Sequence, residues 1–146
     1  MKIDIFANKS LLLAINASYE RVIRKINADL KKDGCNLLQS LILISIFFEK
    51  KAIIPSEIST TFKTSKSNVS HAISALEKKG FVSRRSGEAD SRKWEISLTT
   101  DGKKIVNKLI QKIEHYENTF EELIGVNQSE ELISNLNSIY ELSEET

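Results

Sequence analysis

The chain has 146 residues, 21 basic and 20 acidic, with a net charge of +1. That length can bury a core without cross-links, and a single cysteine, Cys35, excludes an intramolecular disulfide and fits a reducing compartment. Bulk charge alone excludes a uniformly basic nucleic-acid coat, so any such partner must be met by a local patch.

Two apolar runs come early. Leu11–Ala17 follows Lys2 and Lys9 as a signal peptide would, but its apolar core is too short and Asp4 interrupts the basic leader. Leu37–Phe48 contains Gln39, Ser40 and Ser45 and is too short to span a bilayer. Both read as buried helix faces, and a cytoplasmic protein without membrane contact is expected.

In chain order, a first helix is predicted over roughly Asn8 to Lys32, with Leu12, Ile15, Tyr19, Val22, Ile26 and Leu30 on its apolar face and Gly34 ending it. A second helix, Leu37 to Glu49, is apolar on nearly every side and should form the centre of the core. Pro55 opens a third, to Phe62, with Glu57 favourable to its dipole and Ile54 a poor N-cap. Lys63 and Thr64 make a short turn, and Ser65 caps a fourth helix.

The stretch from Ser65 to Thr99 is the most informative. Val69, Ala72, Ile73 and Leu76 form an apolar stripe at i, i+3, i+4, i+7, and Lys66, Ser67, Asn68, Ser70, His71 and Ser74 occupy the other faces. Gly80 stops the helix. Phe81–Arg84 and Trp94–Leu98 read as two strands around a tip at Ser86–Ala89. Helix, turn, helix and hairpin in this order read as a helix-turn-helix with a β-wing, whose uncluttered polar face suits a DNA groove.

Charge supports that placement. Residues 1–62 hold 9 basic and 6 acidic residues, residues 63–104 hold 10 and 5, and residues 105–146 hold 2 and 9. A basic middle and an acidic tail are expected when only one part of a molecule meets phosphate.

Beyond Thr99 the period changes. Val106, Leu109, Ile113, Tyr116, Phe120 and Leu123 form a heptad-like seam that ends at Gly125. Asn127 and Glu130 have capping-box spacing before a last helix with Leu132, Leu136, Ile139 and Leu142. A small winged helix cannot cover both seams. An intramolecular bundle is one reading; the favoured one is a homodimer, with Leu12, Ile15, Val106, Leu109, Ile113, Tyr116, Phe120, Leu136 and Ile139 at its interface. The expected fold is thus mainly α with a small β-wing, one domain over 1–146, with the DNA-binding part at 36–99 and dimerisation helices at 1–34 and 100–146.

The run Leu76-Glu77-Lys78-Lys79-Gly80, Phe81-Val82, Arg84, Asp90-Ser91-Arg92 and Leu98-Thr99-Thr100-Asp101-Gly102 resembles, without a gap, the motif of the MarR family of winged helix-turn-helix regulators. Helix order extends the resemblance over nearly the whole chain. Two departures stand out. The wing tip lacks the prolines common in that family, and Ser70-His71 replaces a frequent Thr-Arg pair.

The resemblance implies repression by occluding a promoter. Release would follow when a small-molecule effector, or less readily oxidation, changes the separation of two recognition helices. It also implies an effector pocket between dimerisation helices and winged helix, with Tyr19 and Phe47 as candidate lining residues.

Asn68 suits adenine, Lys66 suits guanine or phosphate, and Ser65, Ser67, Ser70, His71 and Ser74 complete the expected DNA face of the helix. Arg84, Arg85, Arg92 and Lys93 are the wing candidates, Arg92 for a flanking minor groove. Asp90 would hold Arg84 or Arg92 in place.

Only two histidines exist, His71 and His115, on different helices and without ligand-spaced cysteines or carboxylates. No metal, cofactor or catalytic constellation is expected, so the chain reads as no enzyme. Cys35 reads as a buried or incidental thiol. The expected partners are an inverted-repeat DNA operator, a second copy of the chain and a small-molecule effector. The alternative is a winged-helix module that docks another protein without touching DNA.

Overall fold

A computed structural model describes residues 2–49, 53–86 and 94–144. Seven helices and two strands are present among them: α1 (Ile3–Lys9), α2 (Leu11–Leu30), α3 (Leu37–Glu49), α4 (Pro55–Thr61), α5 (Lys66–Lys78), β1 (Val82–Ser86), β2 (Trp94–Leu98), α6 (Thr100–Ile124) and α7 (Val126–Glu144). The chain divides into two units, residues 1–109 and 110–146.

The expected first helix is two. Ser10 leaves helical geometry and its side chain accepts from the Leu13 N–H at 3.3 Å, starting α2 afresh. A serine hydroxyl competes well for the orphan amides of a helix start, which a purely apolar periodicity does not register. A 3-10 turn at Lys31–Asp33 carries the chain from α2 to Gly34.

Within the first unit α3 is the central element, as its apolar surface predicts. It packs against α2, α5 and β2, and Ser40, Ile42, Leu43 and Ile46 are buried. Its N-terminus is closed by reciprocal bonds, the Asn36 N–H to Gln39 Oε1 at 3.2 Å and the Gln39 N–H to Asn36 Oδ1 at 2.9 Å. Asn27 of α2 accepts from the Leu37 N–H at 2.7 Å, tying the two helices together.

Ile54, without a capping side chain, is compensated from the other direction: the Glu57 carboxylate accepts its N–H at 3.3 Å. Lys63 in the helix-turn-helix turn adopts φ 48°, the left-handed conformation for which glycine is the usual choice.

The strands pair antiparallel, Val82 with Leu98 through Ser86 with Trp94. A bridge that the sequence did not suggest adds Ile53, which exchanges backbone bonds with Ile96 at 3.1 and 2.9 Å. It anchors the wing to the segment before α4.

The start of α6 explains why the sequence carries a Leu-Thr-x-x-Gly run. Thr99 accepts from the Gly102 N–H at 3.1 Å, capping α6, and its hydroxyl donates to the Gly80 carbonyl. A Cβ on Gly102 would lie 2.0 Å from the Phe81 carbonyl oxygen. Gly102→Ala must therefore push α6 off the wing, and we expect a loss of about 1–3 kcal/mol, readable by urea unfolding.

Val106 and Leu109 correct the expected seam. Both are 0% exposed within the chain's own core, so neither is available to a second copy. The first turns of α6 serve the winged helix, and the heptad-like spacing continues across that change of role without a mark in the sequence.

In the second unit, Tyr116 stacks obliquely on His115 at 5.9 Å and on Phe120 at 6.3 Å. On α7, Leu132, Ile133, Leu136, Ile139 and Leu142 are all exposed.

Candidate nucleic-acid interface

Helix α5 separates its faces cleanly. Val69, Ala72, Ile73 and Leu76 are between 0% and 6% exposed, whereas Lys66, Ser67, Asn68, Ser70 and His71 lie on the surface. Burying Leu76 or Ile73 contributes about 1.5–3 kcal/mol each, which fixes the helix about its axis and so fixes which residues face out.

Ser65 is committed to the helix start: its side chain accepts from the Asn68 N–H at 3.0 Å. The Asn68 carboxamide donates to Thr64 Oγ1 at 3.3 Å, which steadies it over the first turn. The most exposed part of the helix is thus its N-terminal half, the part that reaches base edges when such a helix enters a major groove.

Ser74 and Arg84 face inward. Arg84 Nη2 donates to Ser74 Oγ at 2.8 Å, and Arg84 Nε lies 3.0 Å from the Glu77 carboxylate. This three-residue link joins the recognition helix to the first wing strand and sets the angle between them. Glu77 and Arg84 both belong to the motif, but the sequence offered no reason to pair them; their one-helix-to-strand separation is visible only once Gly80 has turned the chain.

Arg85, on the opposite face of the hairpin, pairs with Glu95 at 3.1 Å while remaining half exposed. Such a surface pair is worth about 0–1 kcal/mol, so exchanging Glu95 for a phosphate costs little. Beside it Ser83 and Ser97 hydroxyls meet across the strands at 3.2 Å. Asp90, Arg92 and Lys93 lie outside the described residues. Trp94, which the sequence did not single out, is 56% exposed at the tip end of β2, on the same face of the hairpin as Arg84.

Among the apolar residues expected at a second-copy interface, Leu12, Leu136 and Ile139 are exposed, and Ile15, Ile113, Tyr116 and Phe120 are partly so. Leu11 and Ile3 extend the exposed apolar surface on α2 and α1.

Of the two aromatics named for an effector pocket, Tyr19 is exposed and Phe47 packs edge-on against Phe48 at 5.7 Å. A cavity of about 320 Å³ opens elsewhere, between α3 and α4, lined by Ser45, Glu49, Ile53, Glu57, Ile58, Thr61 and Phe62.

Cys35 is 3% exposed. Burial raises its pKa; Lys79 nearby opposes the shift and Asp33 adds to it. The folded state therefore favours the neutral thiol. Its contribution to stability is present below the unfolded thiol's pKa and is lost as pH rises through the higher folded value. We expect the native thiol to react with an aromatic disulfide at least about tenfold more slowly than the same thiol in urea, since the thiolate is the reactive form. Equal rates would show that Cys35 is accessible.

Among the described residues no helix is long and apolar enough to cross a membrane, and no group of three metal-ligating side chains occurs.

Residues 24–109, more than half the chain, match the family model for the transcriptional regulator SarA/Rot. The HTH-type transcriptional regulator PrsX of Escherichia coli is 32% identical over 98 residues, 66% of this chain and 58% of that protein, so the match spans little more than half of this relative. The fold is shared with the S. aureus MepR–DNA complex, at a TM-score of 0.79 and 19% identity over 94% of this chain and 97% of that one. A mutant MarR from E. coli complexed with operator DNA matches at 0.73 and 22%, over 92% and 96%. The chain belongs to the SarA/Rot family of transcriptional regulators, built on a winged helix-turn-helix of the MarR type.

Proposed function

We propose that the protein is a homodimeric, sequence-specific DNA-binding regulator that represses by occupying promoter DNA, and that it works in the cytoplasm without catalysing a reaction. One observation carries this reading: α5 is locked by a fully buried stripe and turns Lys66, Ser67, Asn68, Ser70 and His71 outward beside a basic wing. The same fold holds DNA in the MepR and MarR complexes. The exposed leucines and isoleucines of α1, α2 and α7 support self-association, because a monomer rarely leaves such runs in water.

In this reading Lys66, Asn68 and the exposed serines approach base edges and phosphates of a major groove. Arg92 reaches a flanking minor groove, with Lys93 and Arg85 on phosphates. Ser65, Ser74, Glu77 and Arg84 hold that arrangement in place. Release by a small molecule fits better than release by oxidation, since the single thiol is buried.

Selection of bound duplexes from random DNA tests the reading. An inverted repeat with half-site centres about 10 base pairs apart is expected, because two-fold related helices enter successive major grooves on one side of the duplex. Enrichment of one asymmetric half-site, or of nothing, would contradict it and favour a protein-docking module.

A further inference from the structure

The short connection between α2 and α3 receives side chains from distant parts of the chain. Asp33 Oδ1 meets Lys108 Nζ of α6 at 2.5 Å, with the Asp33 side chain only 5% exposed. Asn27 of α2 accepts from Leu37 N–H at its far end. Between these two ties sits Lys79, the residue that closes the recognition helix α5. Its ammonium donates to the Gly34 carbonyl and to Gln39 Oε1, the latter at 3.2 Å, and Gln39 is itself buried.

We propose that Lys79 is a positioning residue for DNA binding: it pins the C-terminal end of the recognition helix to the connection between α2 and α3 and to the start of α3, and so sets how far apart two recognition helices stand. This rests on the dimeric DNA-binding reading above, in which α2 belongs to the helices that join two copies.

Lys79 acts by leverage. The end of α5 that meets bases is its N-terminus, while its C-terminus is the end fixed to the rest of the fold. A 13-residue helix is roughly 20 Å long, so a small rotation at Lys79 displaces Lys66 and Asn68 by ångströms. The apolar stripe fixes rotation about the helix axis but resists tilt less well, because side chains can slide along one another. A cation held by two oxygens, one of them buried, supplies the missing restraint at the pivot. Lys79 need not touch DNA to do this.

The test uses the full chain and duplexes carrying the selected inverted repeat, at its own spacing and with one base pair removed from or added to the centre. One base pair alters half-site separation by roughly 3.4 Å and rotates one site against the other by about 34°. The wild type should lose about tenfold or more in affinity at either altered spacing. Lys79→Met should keep the parent-site affinity within about threefold, lose less than about threefold at the altered spacings, and melt within a few degrees of the wild type. Lys79→Arg, which can still reach both oxygens, should restore the discrimination.

A Lys79→Met profile parallel to that of the wild type would overturn the proposal. So would equal loss at all three spacings with a lowered melting temperature, since that is what a purely structural role produces. A wild type indifferent to spacing would instead overturn the dimeric reading, and this proposal with it.

Discussion

Leu136→Asp combined with Ile139→Asp is expected to turn a dimer into a monomer and to weaken operator binding by at least about a hundredfold. Both side chains are about 40% exposed in the single chain, so the carboxylates are tolerated by an isolated copy. In the proposed dimer they would be buried without partners, at a cost of several kcal/mol for each copy. Separating the copies removes the linkage that makes the second half-site an intramolecular event, and that linkage is worth about 10²–10⁴ in affinity. Light scattering should report one chain's mass, and the melting of the winged helix should be nearly unchanged. A double variant that remains dimeric would place the self-association elsewhere. Leu109→Asp is the wrong probe for this question: Leu109 is fully buried in the chain's own core, and its loss would unfold the DNA-binding part.

Asn68→Ala should cost about 1–3 kcal/mol of operator affinity and relax preference at particular base pairs, because a bidentate contact to a base edge is lost. Arg84→Ala should behave differently. It removes the hydrogen bond to Ser74 and the ion pair with Glu77, so binding should weaken evenly across sequences and the wing should loosen against α5. Quantitative binding to single-base variants of the operator separates the two patterns. Identical base preferences in Asn68→Ala and the wild type would remove Asn68 from the readout.

Much of this arrangement was legible from periodicity and punctuation. The buried stripe of α5, its Ser65 cap, the core position of α3 and the span of β2 follow from spacing that the structure reproduces. The break at Ser10 was not legible, because apolar periodicity runs through it and only a local hydroxyl bond decides the matter. The bridge from Ile53 to Ile96 joins residues 43 apart and leaves no local signature.

Arg84 shows the same limit at the site. A basic residue in a basic wing reads as a DNA contact from sequence, yet its neighbours across the turn, Ser74 and Glu77, hold it for structure. Val106 and Leu109 show the limit in the seam. Seven-residue spacing tells which face of a helix is apolar, but not whether the chain itself or a second copy covers it.

The most direct test of the central claim, that a basic wing and the outward face of α5 bind duplex DNA, is the salt dependence of operator affinity. With Arg84 held by Glu77, the contributors to phosphate neutralisation are Lys66, Arg92 and Lys93, with Arg85 in reserve. About three contacts per copy, six in a dimer, give a slope of log affinity against log salt near −5. That slope is expected for the wild type, and the substitution Lys66→Gln should make it shallower by about 2, one contact in each copy. Affinity indifferent to salt, or a slope unchanged by removing Lys66, would contradict it.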